Sequence, residues 1–307
     1  MIQYRFAVIS DIHVAAFKKA NLSDFMNQRI IGLANWVARR RHHFPPVIRE
    51  ALFADLIAQK DISAIEGLIV CGDLTTLALP EEFEVARKHI AALDLPASQL
   101  LVIPGNHDSY TRGAHRKKLF HNAFGHESPL TEIDYPLDIE TAHWALLGLS
   151  TAFPSRPLYA TGKLGGDQLS HLEARLQYYK NAHKPVIIVM HHPPQLPKKL
   201  AHKSLLDSVA FQSSISKEPP ALIIHGHLHQ RITSTLSIQT SMGPRSIPVR
   251  GLPASCYNSA ETKRWPAYPT IDLDRPGEIS ITWRKYDFNT KKYSPDISSF
   301  ETISIME

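Results

Sequence analysis

Five short blocks of this 307-residue sequence carry side chains suited to metal binding, and each ends an apolar run: Asp11-Ile12-His13, Gly72-Asp73, Gly105-Asn106-His107-Asp108, His191-His192 and His225-Gly226-His227-Leu228-His229. A single Asp or His at a strand end is ordinarily a cap or a hydrogen-bonded loop residue. Five such ends in one chain point instead to convergence on one site. Imidazole with carboxylate suits zinc, manganese or iron rather than calcium, which takes mostly oxygen. A carboxamide such as Asn106 is a weak ligand, tolerable among stronger ones. Asp11 and His13 would point to the same side of an extended chain and share one metal; the same geometry applies to His227 and His229, which could reach two neighbouring ions if the backbone turns after Gly226. The same alternation turns His192 and His225 away, towards supporting or core positions. Cys71 reads as a small buried thiol. No Ser or Cys stands in a nucleophile-elbow pattern, so water is the expected nucleophile.

The order Asp-x-His, Gly-Asp, Gly-Asn-His-Asp, His, Gly-His-x-His resembles the calcineurin-like metallophosphoesterases, over Asp11 to His229, about three-quarters of the chain. The resemblance implies an α/β fold, a four-layer α/β/β/α sandwich of two mixed sheets flanked by helices. It implies a first metal held by Asp11, His13, Asp73 and His229, with Asp73 bridging to a second that Asn106, His191 and His227 complete. It also sets His107 beside the phosphate, assisting the leaving oxygen, with Asp108 orienting its ring and neither acting as a ligand. Two ions about 4 Å apart lower the pKa of a bridging water, bind phosphate oxygens and stabilise in-line attack. The expected reaction is therefore hydrolysis of a phosphodiester or pyrophosphate bond by a metal-bridging hydroxide, with manganese, iron or zinc. His191-His192-Pro193-Pro194 and the Gly226 to His229 block resemble the cyclic-nucleotide phosphodiesterase branch. A membrane-peripheral UDP-2,3-diacylglucosamine pyrophosphohydrolase of lipid A synthesis is the alternative, and a non-catalytic metal-binding scaffold a second one, against which the intact ligand set speaks.

Strands must deliver these blocks. Apolar runs predict them at Tyr4 to Ile9, Gly67 to Cys71, Leu100 to Ile103, Pro185 to Met190 and Ala221 to Ile224, with another at His143 to Leu149. Helical patterns fall between them, at Val47 to Gln59 behind Pro45-Pro46, at Pro80 to Ala92, and at Gln168 to Asn181 behind an N-cap at Asp167. Such alternation predicts parallel sheet with ligand sites at the carboxyl ends of strands. From about residue 245 the pattern turns mainly β and antiparallel. Gly105 to Pro136 and Met242 to Pro269 read as long functional loops inside a single domain spanning 1–307.

Lys and Arg exceed Asp and Glu by 34 to 29, a bias that favours anionic substrates without marking a nucleic-acid-binding tail. Of the basic cluster behind the Gly-Asn-His-Asp block, Arg112 stands nearest to His107 and is the candidate substrate contact. A basic insertion around 27–44 reads as an amphipathic helix over most of Gln28 to Arg41, with Ile30, Leu33 and Val37 on one face, Trp36 as an interfacial anchor and Arg39, Arg40 and Arg41 at its end. The expected partner is a phosphate-bearing small molecule or a lipid-linked substrate, with peripheral membrane contact through that insertion. Two distant cysteines imply no disulfide framework, and no apolar run is long enough to span a bilayer. The cytoplasm, or its face of the inner membrane, is the expected compartment.

Overall fold

The computed structural model describes residues 4–38, 40–125, 135–259 and 261–305. Its first half runs β1 (Arg5–Ile9), α1 (Arg29–Ala38), α2 (Pro46–Asp61), β2 (Gly67–Cys71), α3 (Pro80–Ala91), β3 (Leu100–Ile103), α4 (Arg112–Arg116) and α5 (Leu119–Phe124). Next come β4 (Leu137–Glu140), β5 (Ala145–Leu149), α6 (Gly166–Asn181), β6 (Val186–Met190), α7 (Ser208–Lys217) and β7 (Leu222–His225). The chain closes with β8 (Ile232–Thr240), β9 (Gly243–Gly251), β10 (Ala267–Asp272), β11 (Glu278–Asp287) and β12 (Lys292–Ser304).

Two six-stranded sheets result, ordered β12-β11-β10-β1-β2-β3 and β4-β5-β6-β7-β9-β8. The parallel strands β1, β2 and β3 in one sheet, and β5, β6 and β7 in the other, all end on the same side as the five blocks. Side-chain alternation along these strands builds the layers. Phe6, Val8, Ile69, Cys71, Leu101 and Ile103 face Trp144, Leu146, Ile187, Val189 and Ile224 across the sandwich. Ala7, Ile9, Leu68 and Val70 turn outward onto Leu52 and Leu56 of α2 and Phe83 and Ala86 of α3. Leu147, Ile188 and Ile223 turn outward from the second sheet onto Leu172 and Leu176 of α6 and Phe211 of α7. Each fully buried side chain of this kind contributes roughly 1.5–3 kcal/mol. The expected four-layer α/β/β/α sandwich with mixed sheets is thus present.

Three expectations need correction. The N-cap of α6 is Gly165, at φ 85°, and Asp167 lies inside the first turn, where its charge meets the helix dipole. Gly105 to Pro136 is not one loop, because α4 and α5 lie in it. Nor is Met242 to Pro269, because β9 and the start of β10 occupy it. Its prolines are tolerated for a geometric reason: β7 pairs only with Val249–Gly251 of β9, so Pro244 and Pro248 fall where one side of the strand has no partner, and β1 pairs with Thr270 onward, beyond Pro269. The helix expected over most of Gln28 to Arg41 is present as α1, which ends at Ala38 and is followed by a 3-10 turn at Arg40–His42. Pro45 then caps α2 and Pro46 occupies its first position, where a missing amide costs nothing.

Candidate metal centre

Four of the five blocks leave their strands through irregular backbone held to a neighbouring block by main-chain bonds. Asp11 N–H donates to Gly72 carbonyl (3.0 Å), His13 N–H to Asp73 carbonyl (3.0 Å), and Gly226 N–H to His191 carbonyl (3.1 Å). Asp11, His13, Asp73, His227 and His229 have φ of 53°, 43°, 54°, 70° and 50°. This left-handed conformation costs a non-glycine residue roughly 1–2 kcal/mol and persists only where the surroundings impose it. Asp11, His13, His227 and His229 therefore reach their positions through left-handed turns and not by alternation along an extended chain. Gly105 allows the close approach: a Cβ there would collide with the Asp73 carboxylate.

Ligand atoms of Asp11, His13, Asp73 and His229 all lie within 4.8 Å of one another, and so do those of Asp73, His191 and His227. Asp73 belongs to both clusters. His13 Nε2 and His229 Nε2 stand 3.2 Å apart, and His229 Nε2 lies 3.2 Å from Asp11 Oδ1. Asp73 Oδ2 is 3.6 Å from His13 Nε2 and 3.3 Å from His191 Nε2. Asp11 Oδ1, Asn106 Oδ1, His191 Nε2 and His227 Nε2 are buried with no hydrogen-bond partner. Burying such atoms unsatisfied is costly, so convergent donor atoms left this way fit metal ions. The second nitrogens are fixed as ligands require: His191 Nδ1 lies 2.7 Å from the Cys71 carbonyl and His13 Nδ1 3.3 Å from the Thr75 carbonyl, which leaves each Nε2 facing inward. His192 and His225 stand outside both clusters, the first bonded to Thr151 Oγ1 (2.7 Å) and the second to the Gly226 carbonyl (2.9 Å).

Burial disfavours charge throughout the site, yet electrostatics overrides it at two members. Burial opposes the Asp73 carboxylate, but His191, His107 and His13 hold it well below the usual range. Burial likewise lowers His191, while the adjoining Asp73 pushes it up to about 9. His227 is driven well below the ordinary imidazole range, first by burial and then by its histidine neighbours. A cation bound beside Asp73 competes with the proton on His191.

His107 is half-buried, its backbone N–H donating to Asp73 Oδ1 (2.8 Å) and its ring Nδ1 lying 2.6 Å from the Thr76 carbonyl. The expected bond from Asp108 to this ring is replaced by another arrangement. Asp108 accepts from the amides of Gly105 (2.9 Å), Leu74 (3.2 Å) and Thr75 (2.9 Å) and from the Thr75 hydroxyl (2.9 Å). Burial, and then the Asp73 charge, push it up to about 7. It ties the second block to the third, and Thr76 does the orienting.

Three aromatic residues not foreseen from the sequence complete the walls. Tyr110 stacks on His107 with centroids 5.4 Å apart. Phe44 meets the rings of His13 and His229 edge-on at 4.6 and 5.8 Å, and Tyr257 packs behind both Phe44 and His229 at 5.2 and 5.7 Å. The insertion thus seals the first cluster with its final residue. Its helix α1 is anchored beside the site by Arg29, whose guanidinium donates to the Leu77 (2.8 Å) and Ala78 (2.6 Å) carbonyls, and by Gly32, where a Cβ would collide with Leu77 and Tyr110. Trp36 packs edge-on against Phe17 (4.8 Å), while Ile30, Ile31 and Val37 are exposed and Leu33 is partly covered. Arg112 is exposed and lines a groove of about 520 Å³ with Gln28, Arg29 and Lys117. Arg41 donates to its neighbour His42 (2.9 Å), and Arg39 lies outside the described residues, as does the side chain of Arg40.

Sandwich, strand-end blocks and twin clusters define a metal-dependent phosphoesterase, built for two ions. The chain belongs to the calcineurin-like phosphoesterase family, whose model matches residues 4–231. It is 27% identical over 241 residues to the glycerophosphodiester phosphodiesterase GpdQ of Enterobacter lignolyticus, covering 75% of this chain and 78% of that one. It is 26% identical over 150 residues to a probable glycerophosphodiester phosphodiesterase GpdQ of Arcobacter nitrofigilis, 48% of this chain and 49% of that one. The fold is shared with a dimetal phosphatase from Danio rerio, at TM-score 0.64 and 14% identity over 99% of both chains. The purple acid phosphatase PPD1 from yellow lupin seeds superposes at TM-score 0.62 and 12% identity, over 99% of this chain and 54% of that one. Among the described residues no helix is long and apolar enough to cross a membrane.

Proposed function

We propose that the enzyme hydrolyses a phosphodiester, with water as nucleophile, at a centre in which Asp11, His13, Asp73 and His229 hold one ion and Asp73, Asn106, His191 and His227 a second. The observation that carries this reading is the Asp73 carboxylate shared by two ligand clusters beside His107, where Asp11 Oδ1, Asn106 Oδ1, His191 Nε2 and His227 Nε2 are buried without a hydrogen-bond partner. Manganese, iron and zinc all suit imidazole with carboxylate and one carboxamide. Two such ions, when bound, would supply the positive charge that lowers the pKa of a water and attracts phosphate oxygens. The chain's own residues supply the rest. With Nδ1 held against the Thr76 carbonyl, His107 keeps Nε2 for the proton that the leaving oxygen takes up. Phe44 and Tyr257 keep bulk water from the first cluster, so its electrostatics act in a low dielectric.

A second reading, pyrophosphate cleavage in a lipid-linked substrate at a membrane surface, is favoured by the exposure of Ile30, Ile31 and Val37 on α1. One assay addresses both. Purified protein is stripped with chelator, reloaded with Mn²⁺, and given bis(4-nitrophenyl) phosphate, or a lipid-linked pyrophosphate in anionic vesicles. Turnover of the diester that disappears with chelation and returns with metal supports the first reading, and preference for the vesicle-borne pyrophosphate the second. Turnover indifferent to chelation, or none with either substrate, sinks both.

A further inference from the structure

With Phe44 and Tyr257 against the first cluster, the opposite approach runs past Asn106, where α1 and the loop after β5 meet. Gln28 just before α1, Ile31 of α1, Leu158 and Tyr159 from the loop, and Tyr110 line one small pocket with Asn106. The loop is a tight turn. Tyr159 N–H donates to the Arg156 carbonyl (3.0 Å), and Ser155 Oγ donates to the Tyr159 carbonyl (2.6 Å). Pro157 in the second place and a positive φ in the third mark a type II turn, whose third place calls for Gly or Asn. Here it holds Leu158, at φ 67°.

Core packing does not compensate for that strain, because Leu158 is 84% exposed, with Tyr159 at 54% and Ile31 at 43%. Three apolar side chains, from two segments far apart in sequence, are left in water at the wall of the metal site. One is held in a conformation its backbone disfavours. Folding alone gives no reason for this, whereas a ligand that covers them does.

We propose that Ile31, Leu158 and Tyr159 form a subsite for an apolar arm of the substrate, so that the preferred phosphodiester carries a hydrocarbon or aromatic ester group in place of a small polar alcohol. The proposal rests on the phosphodiester reading above. An arm entering here removes its own surface and that of the three side chains from water, and the gain scales with the area covered. Ser155, Arg156 and Gln28, in the same pocket, leave its rim polar.

The test is competitive inhibition of the Mn²⁺-loaded full chain by methyl-, hexyl- and phenylphosphonate, with bis(4-nitrophenyl) phosphate as the fixed substrate. Each phosphonate offers the metals the same head, and only the arm differs. The inhibition constant should fall by about tenfold or more from methyl to hexyl or phenyl, as burial of a few methylene equivalents implies. The hexyl and phenyl arms separate a hydrocarbon from an aromatic preference. Leu158→Gly, which suits the positive φ, and Ile31→Ser, on an exposed helix face, should each shrink the ratio to about twofold. Equal constants for the three inhibitors, or a ratio unchanged in both variants, overturn the subsite while leaving the phosphodiester reading intact. Failure of every phosphonate to inhibit, together with absence of diester turnover, overturns both.

Discussion

Replacing Asp73 by Asn should lower kcat/KM by at least about 10²-fold and reduce bound metal. Losing a residue that only supports a ligand already costs 10- to 100-fold in affinity or activity, so losing a shared anionic ligand should exceed that. The geometry is specific to this residue. Asp73 Oδ2 lies 3.3 Å from His191 Nε2 in one cluster and 3.6 Å from His13 Nε2 in the other, so among the described residues it alone belongs to both. Asn keeps the shape, and its carbonyl can still accept from the His107 amide as Oδ1 does now (2.8 Å). The local fold should therefore survive while the bridging charge is lost. Kinetics read beside metal analysis of the same sample check this. Full activity with one ion missing would contradict the two-metal account.

His107→Ala should reduce turnover by about 10²- to 10⁴-fold, the scale of general acid catalysis, with metal content unchanged. The separation is expected because the His107 backbone amide, which the substitution retains, makes the contact to Asp73, while the ring is held by Thr76 and stacked on Tyr110. Diesters with poor leaving groups need the proton most and should suffer most. A nitrophenyl ester should suffer least. If metal falls in proportion to activity, His107 supports the cluster and its assignment to the leaving oxygen is wrong.

Much of this arrangement is legible in the chain because the parallel strands are buried on both faces and read as unbroken apolar runs, Gly67 to Cys71 and Val186 to Met190 among them. The edge strands β8 and β12 are not. β8 carries Thr and Ser on its outward positions and β12 contains Pro295, so neither shows a run that distinguishes it from loop. The ligand candidates were visible by type and order, but the left-handed turns that bring Asp11 to His13 were not, since nothing in a side chain's identity announces a strained φ. The family resemblance implies an Asp108 that orients the His107 ring, whereas the turn after Gly105 carries its carboxylate back onto the amides of Leu74 and Thr75. Phe44, Tyr110 and Tyr257 act through packing between segments distant in sequence, and no spacing encodes that.

The central claim is a pair of ions sharing Asp73, and anomalous diffraction from crystals of the manganese-loaded protein tests it most directly. Two peaks are expected, one in contact with Asp11, His13, Asp73 and His229 and the other with Asp73, Asn106, His191 and His227. A single peak, or a second one away from Asp73, would contradict the account.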